Sequence, residues 1–312
     1  MTATTLEAPA PASTSSRGTR MLGAVSLVGL VFLALMGLAF SDADELLGET
    51  VRIMYVHVPT VSTAYLMIIV SAVASAVYLR RRTELPDLLA HATAEIGTVL
   101  LGLTLVTGAL WGRPTWGTYW QWDARLTTTL LLFLVMVGYL TVRSAGGDRR
   151  QRGSRSAVVA IVAALLIPIV YKSVDWWQTL HQSRTAFGTL DPKIHGSQAF
   201  TLLLSIVVFA VFAVWLTIHR FRVAWLADRA DDVGLEAAIA ERRSTAGSPA
   251  RAALSLPLVA AASTAAIESD QWTYVIVAWG ITAVVLALYV VATLRRGRSL
   301  SSLVPPDQRR WM

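Results

Sequence analysis

The sequence predicts an all-α polytopic membrane protein, and three observations carry that reading. Apolar residues make up 54% of the 312-residue chain and charged residues only 15%, too greasy a balance for an ordinary soluble globule. The apolar residues gather into runs of the length a helix needs to cross a hydrocarbon core. Lysine and arginine fall in short clusters beside those runs, the pattern that orients membrane helices. The formal charge of +7 therefore points to membrane orientation and not to nucleic acid, since the basic residues form no aromatic-interleaved surface. With no cysteine, the chain has no disulfide, thiolate metal site or CxxCH attachment site, so any bound metal falls to histidine.

The elements follow in order. Residues 1–20, rich in Ala, Ser, Thr and Pro, read as a disordered tail. The first apolar run, 21–40, is longer than a signal peptide core and ends in Ser-Asp-Ala-Asp-Glu, so it reads as an anchor. Five more runs follow at 58–79, 93–110, 126–142, 157–170 and 199–218, the fifth short, with Pro168 suggesting a kink or early stop. If six helices alternate, Arg17 and Arg20, Arg80 to Arg82, the cluster from Arg143 to Arg155, and Arg220 with Arg222 all share one side, which the positive-inside rule makes cytoplasmic. The opposite side receives an acidic segment ending at His57, a tryptophan-rich loop over 111–125, and a third loop over 171–198.

Beyond the six-span core, 21–222, charged and apolar residues over 223–251 read as a cytoplasmic linker helix. A further clear span at 272–294 ends in Arg295, Arg296 and Arg298. Its basic end can be cytoplasmic only if the weaker run 252–267 also crosses, giving eight spans. That weaker run, with Arg242, Arg243 and Arg251 before it, also has the form of a signal peptide whose cleavage would release a one-helix fragment.

The tryptophan-rich loop carries the chemistry. Trp111, Trp116, Trp120 and Trp122 stand with Tyr119 between two spans. An interfacial aromatic belt accounts for some of this. Four indoles in one short loop also make a flat shelf on which a porphyrin disc can stack. Trp116 and Trp120, four apart, are expected to share a helical face. Iron in such a disc would take neutral imidazoles. His57 and His181 lie in separate outer segments and suit opposite faces of one iron, with His195 competing for the second position; His91 and His219 fall on the cytoplasmic side as boundary residues. Two propionates would seek arginine, and Arg52, Arg113, Arg125 and Arg184 are on the same side, each equally readable as a solvated loop charge. Asp123, just ahead of the fourth span, reads as a helix cap that can also fix the loop or an imidazole. No phosphate loop, nucleophile elbow or carboxylate pair is present, so the chain is expected to be no enzyme.

The segment Trp116-Gly-Thr-Tyr-Trp-Gln-Trp-Asp-Ala-Arg-Leu-Thr127 resembles the WWD signature of haem-handling proteins in the form found in the CcmC family, the C subunit of the cytochrome c maturation haem exporter. Arg52-Ile-Met-Tyr-Val-His-Val-Pro59 and Trp176-Trp177-Gln-Thr-Leu-His181 are similar to that family as well. The resemblance implies haem b as the bound cargo, with His57 and His181 as axial ligands. Trp111, Trp116, Trp120, Trp122 and Asp123 would form the platform, with Arg52 and Arg125 at the propionates. It implies work at the outer face of the cytoplasmic membrane with a CcmE-like haem chaperone, a CcmA-like ATPase and a CcmB-like membrane subunit, this chain being a non-catalytic part of an ABC-type complex. The C-terminal segment 252–312 is similar to the single-helix partner CcmD, so the chain reads as a fusion. Three other classes compete: a System II haem channel, which carries more histidines within its spans; a cytochrome b, whose histidines face each other inside helices; and a cofactor-free permease or assembly subunit.

Overall fold

In the computed structural model, which describes residues 13–177, 179–181, 194–244, 270–305 and 309 (backbone alone over 233–244), the chain is all-α with seven helices long and apolar enough to span a membrane. They are α1 (Arg17–Leu35, prolonged by a π turn, Met36–Phe40), α2 (Met54–Arg81), α3 (Glu84–Trp116), α4 (Ala124–Ser144), α5 (Arg149–Trp176), α6 (Gly196–Ser244) and α7 (Gln271–Leu303). A 3-10 turn, Glu49–Ile53, leads into α2. Each predicted apolar run that falls on described residues lies inside one of these helices. The weak run 252–267, expected to be the return crossing, lies outside the described residues, as does Arg184.

Local chemistry sets the helix ends. The Ser16 hydroxyl accepts from the Thr19 amide while the Thr19 hydroxyl accepts from the Ser16 amide, a reciprocal cap that starts α1 at Arg17. Helix therefore begins within the segment read as tail. Thr14 is anchored too, by Arg222 donating to its carbonyl at 2.7 Å and by a 2.9 Å hydroxyl contact with His219 Nδ1. Pro168 does not stop α5, which continues to Trp176. Nor is the linker helix separate. No glycine or proline interrupts residues 198–233, and α6 runs unbroken from Gly196 to Ser244.

The centre of the bundle is the α2–α3 hairpin with α5 and α6 against it. Small residues Ala64, Ser71, Ser75, Ala90 and Ala94 line the seam and let the two backbones approach; the Ser71 hydroxyl donates to the Ala90 carbonyl at 2.8 Å. Leu27, Leu134, Leu165, Leu203 and Leu288 point outward, as lipid-facing side chains do. One end of the bundle is basic. There Arg143 forks onto Asp87, Arg149 meets Glu84 and Asp228, and Arg220 pairs with Glu95. The other end gathers the 3-10 turn, the tryptophans and the first turn of α7.

Helix α7 is integral to the bundle. Its buried stripe is Val275, Ala278, Thr282 and Leu286, at the three- and four-residue spacing of one helical face. The Tyr289 hydroxyl donates to Glu95 at 3.0 Å, and at the opposite end Gln271 Oε1 accepts from the Glu49 amide at 2.9 Å. α6 thus begins at the tryptophan end, where Ser197 meets Asp42, and α7 begins there again.

Candidate functional site

The site is built at the tryptophan end by four segments. The first correction to the sequence reading is the extent of the loop. α3 continues through Trp116, and irregular chain covers only 117–123. Pro114 sits in the last turn, where its missing N–H costs one bond, and Gly117 closes the helix at φ +77°, a conformation that favours glycine. Trp116 is therefore helical and Trp120 is not, so the two do not share the helical face their spacing suggested.

His57 lies in the first turn of α2 and faces α3. Its Nδ1 is 3.0 Å from the Thr107 hydroxyl, whose own proton goes to the Leu103 carbonyl at 2.8 Å. With the hydroxyl proton so placed, a neutral imidazole satisfies the contact by donating through Nδ1, the tautomer that leaves Nε2 as the lone-pair nitrogen. Gly108 makes the space: a Cβ there would stand 2.9 Å from His57 Cε1. The Trp111 ring meets the imidazole edge-on, with centroids 5.8 Å apart.

His181 is fixed by the same device with a stronger partner. Its Nδ1 lies 3.0 Å from Asp123 Oδ2. That oxygen also accepts from the Thr179 hydroxyl at 2.5 Å and the Leu180 amide at 3.3 Å, while Oδ1 caps α4 by accepting from the Leu126 amide at 2.7 Å. Burial works to raise the Asp123 carboxyl, but the hydrogen bonds from Thr179, Leu126 and His181 hold it below the usual carboxylate range. An ionised Asp123 can only accept, so His181 donates through Nδ1 and again presents Nε2. Burial, aided by the positive charge of Arg125 and opposed by Asp123, holds the His181 imidazole below its ordinary 6.5, so the ring is neutral near pH 7. Trp116 packs edge-on against it at 4.8 Å between centroids.

Both imidazoles stand at the tryptophan end, and each has a tryptophan against its ring. The same region holds buried donors with no partner among the described residues: Trp111 Nε1, Trp120 Nε1 and Arg125 Nε. Buried unsatisfied donors are costly, and three at the same end as two imidazoles suit a ligand with a metal at its centre and anionic acceptors at its rim. Trp122 is 74% exposed and meets Trp120 edge-on at 5.5 Å, which leaves its other surface available.

The remaining predicted residues divide. Arg125 stays at the site, with Nη2 donating to the Tyr171 carbonyl at 3.3 Å. Arg52 is buried and already engaged: Nε donates to Glu49 at 2.6 Å, Nη1 to the Gly37 carbonyl at 2.9 Å, and its guanidinium lies 5.1 Å from the Trp272 ring centroid. Arg113 turns onto the Gly117 carbonyl and the Tyr119 ring. His195 is exposed just before α6 and makes no described side-chain contact with the site. His91 and His219 belong to the basic half, His219 against Thr14 and Trp215. Sequence reasoning missed Thr107, Gly108 and Thr179. Of these only Thr179, two residues before His181, carried a local signal.

The family profile described as Heme exporter protein C matches residues 4–235. Heme exporter protein C of Haemophilus influenzae is 39% identical over 203 residues, 65% of this chain and 81% of its own length. That of Escherichia coli K12 is 36% identical over 202 residues, 64% of this chain and 81% of its own. A cytochrome c biosynthesis ccmC-like mitochondrial protein of Marchantia polymorpha is 37% identical over 187 residues, 58% of this chain and 77% of its own. Helix α7 lies beyond the matched residues. On a match that spans most of the chain, the protein belongs to the Heme exporter protein C family.

Proposed function

We propose that the protein takes part in haem export for cytochrome c maturation by holding haem b at the tryptophan end, on the outer face of the cytoplasmic membrane, and passing it to a CcmE-like chaperone. His57 and His181 are the axial ligands through Nε2, and Trp111, Trp116, Trp120 and Trp122 are the platform. Arg125 meets a propionate, joined by the orphan indole N–H groups. Arg52, buried against Glu49 and Trp272, shapes the rim of the same end. The basic end faces the cytoplasm, where a CcmA-like ATPase and a CcmB-like subunit dock, and no catalytic chemistry falls to this chain. α7 is a fused CcmD-like helix, giving a tail, a six-span core, a linker and a C-terminal membrane segment.

The observation that carries the reading is that each imidazole sets its Nδ1 3.0 Å from a protein oxygen, Thr107 Oγ1 for His57 and Asp123 Oδ2 for His181, and so can spend that nitrogen on a protein acceptor. Metal-binding histidines typically do so, because the second hydrogen bond orients the ring and raises the basicity of the ligating nitrogen. A cofactor-free permease has no need to aim two Nε2 lone pairs at one end of the bundle. The test is the visible spectrum of the purified protein loaded with haem, beside His57→Ala and His181→Ala. A low-spin spectrum lost in either variant is expected. A wild-type protein that takes up no haem, or variants that keep the low-spin bands, would refute the proposal.

A further inference from the structure

A groove of about 550 Å³ lies among α2, α3 and α6 at the basic end of the bundle, away from the tryptophans. Ile69, Val73 and Val77 line it from α2, Leu85 and Leu89 from α3, and Phe221 from α6. Every lining residue is apolar, so the groove offers no ligand to a metal and no partner to a polar solute. Val73 is 60% exposed, and Ile69 and Leu85 are exposed beside it, so the groove opens outward onto hydrocarbon.

The α2 wall has a charged continuation. Ile69, Val73 and Val77 recur at four-residue spacing along one helical face, and Arg80 and Arg81, three and four residues beyond Val77, prolong that face to the end of the helix. Both arginines are exposed, and neither has a hydrogen-bond or ion-pair partner among the described residues. The carboxylates that begin α3 are already taken, Glu84 by Arg149 and Arg229 and Asp87 by Arg143. From Ile69 to Arg80 the helix rises roughly 17 Å, against roughly 15 Å for the hydrocarbon of one leaflet. With the groove alongside the acyl chains, the two guanidinium groups therefore reach the level of the phosphates.

We infer that the groove seats an acyl chain of one phospholipid with an anionic headgroup, and that Arg80 and Arg81 hold its phosphate. An apolar trough accepts the chain without choosing among headgroups. The arginines supply the choice, by net charge and by forked hydrogen bonds to phosphate oxygens. The site lies at the opposite end of the bundle from His57 and His181 and is independent of what they bind.

The test is lipid titration of the full-length protein in detergent, read by native mass spectrometry, with phosphatidylglycerol against phosphatidylcholine of the same acyl chains. The wild type should retain one phosphatidylglycerol about tenfold more tightly than phosphatidylcholine. Arg80→Gln with Arg81→Gln should weaken phosphatidylglycerol about fivefold for each arginine lost and leave phosphatidylcholine unchanged. Val73→Trp, which fills the groove from an exposed position, should weaken both lipids; circular dichroism checks its fold, and Ile69→Trp replaces it if it fails. Arg295→Gln with Arg296→Gln removes two exposed arginines at the same end, on a helix that does not line the groove, and should change nothing. A wild type without preference, groove-filled variants that bind as before, or an equal loss in the α7 variant, as a diffuse positive surface would give, would each overturn the inference. A photoreactive benzoylphenylalanine at position 73 in cell membranes should couple to lipid. Coupling to a protein instead would make the groove a subunit interface and overturn the lipid site.

Discussion

Replacing Asp123 with asparagine separates orientation from ligation. Asp123 serves two neighbours with two oxygens: Oδ1 caps α4, and Oδ2 accepts from His181, Thr179 and Leu180. Asparagine can keep one oxygen on the Leu126 amide, so the cap survives at a cost of a few tenths of a kcal/mol at most. Its NH2 group then faces three donors. The cheapest escape is for His181 to move its proton to Nε2 and accept at Nδ1, which removes the lone pair that iron would take. Loss of a charge-assisted hydrogen bond is worth about 1.5–3 kcal/mol, or roughly ten- to a hundredfold in affinity, the range seen when the outer partner of a metal-bound histidine is deleted. The assay is haem titration of detergent-solubilised Asp123→Asn, monitored in the visible, with thermal unfolding of the haem-free protein alongside. Weakened binding, a shift toward high-spin bands and near-wild-type unfolding are expected. A wild-type spectrum and affinity would refute the tautomer argument. Weak binding accompanied by an equally large loss of stability would show that Asp123 acts only as a cap.

Two further outcomes follow from the same geometry. His181 is held neutral below its ordinary 6.5, so on acidification the unfolded chain takes up this proton before the folded one does; the folded state keeps its full advantage above pH 6.5 and loses it as pH falls toward the lower folded value. Thermal unfolding of the haem-free protein should accordingly fall more steeply below pH 6.5 than that of His181→Gln, and identical slopes would contradict the assignment. Gly108→Ala would place a Cβ 2.9 Å from His57 Cε1, displacing the ring from Thr107, and should weaken haem binding at least tenfold while His181 still ligates. An unchanged low-spin spectrum in that variant would mean that His57 has room to spare.

Much of this was legible in the sequence because membrane burial leaves few choices. A span must be apolar over its whole length, so α1 to α6 and the core of α7 announce themselves, and lysine and arginine give their alternation. The cap at Asp123 was also readable, since a carboxylate just ahead of an apolar run has one common use. Helix ends were less visible. Gly-Arg-Pro at residues 112–114 reads as a loop, yet at a C-terminal turn proline costs only one bond and α3 runs on to Trp116. Partners across the fold were invisible. Thr107 reaches His57 from 50 residues away, and Trp279 reaches Arg52 from 227. Both contacts depend on how helices pack, and neither leaves a trace in local spacing. Arg52 was placed at the propionates because arginine there suits an anion; its contacts with Glu49, Gly37 and Trp272, which span the fold, were not readable from local spacing.

The account stands on two imidazoles, each aimed by its own acceptor, meeting one iron. Electron paramagnetic resonance of the ferric, haem-loaded protein addresses this directly when His57→Gly and His181→Gly are measured with and without added imidazole. The wild type should give a single low-spin signal; each variant should lose it and recover it when imidazole fills the vacated position. A high-spin wild type, or a variant that stays low-spin without added imidazole, would contradict the account.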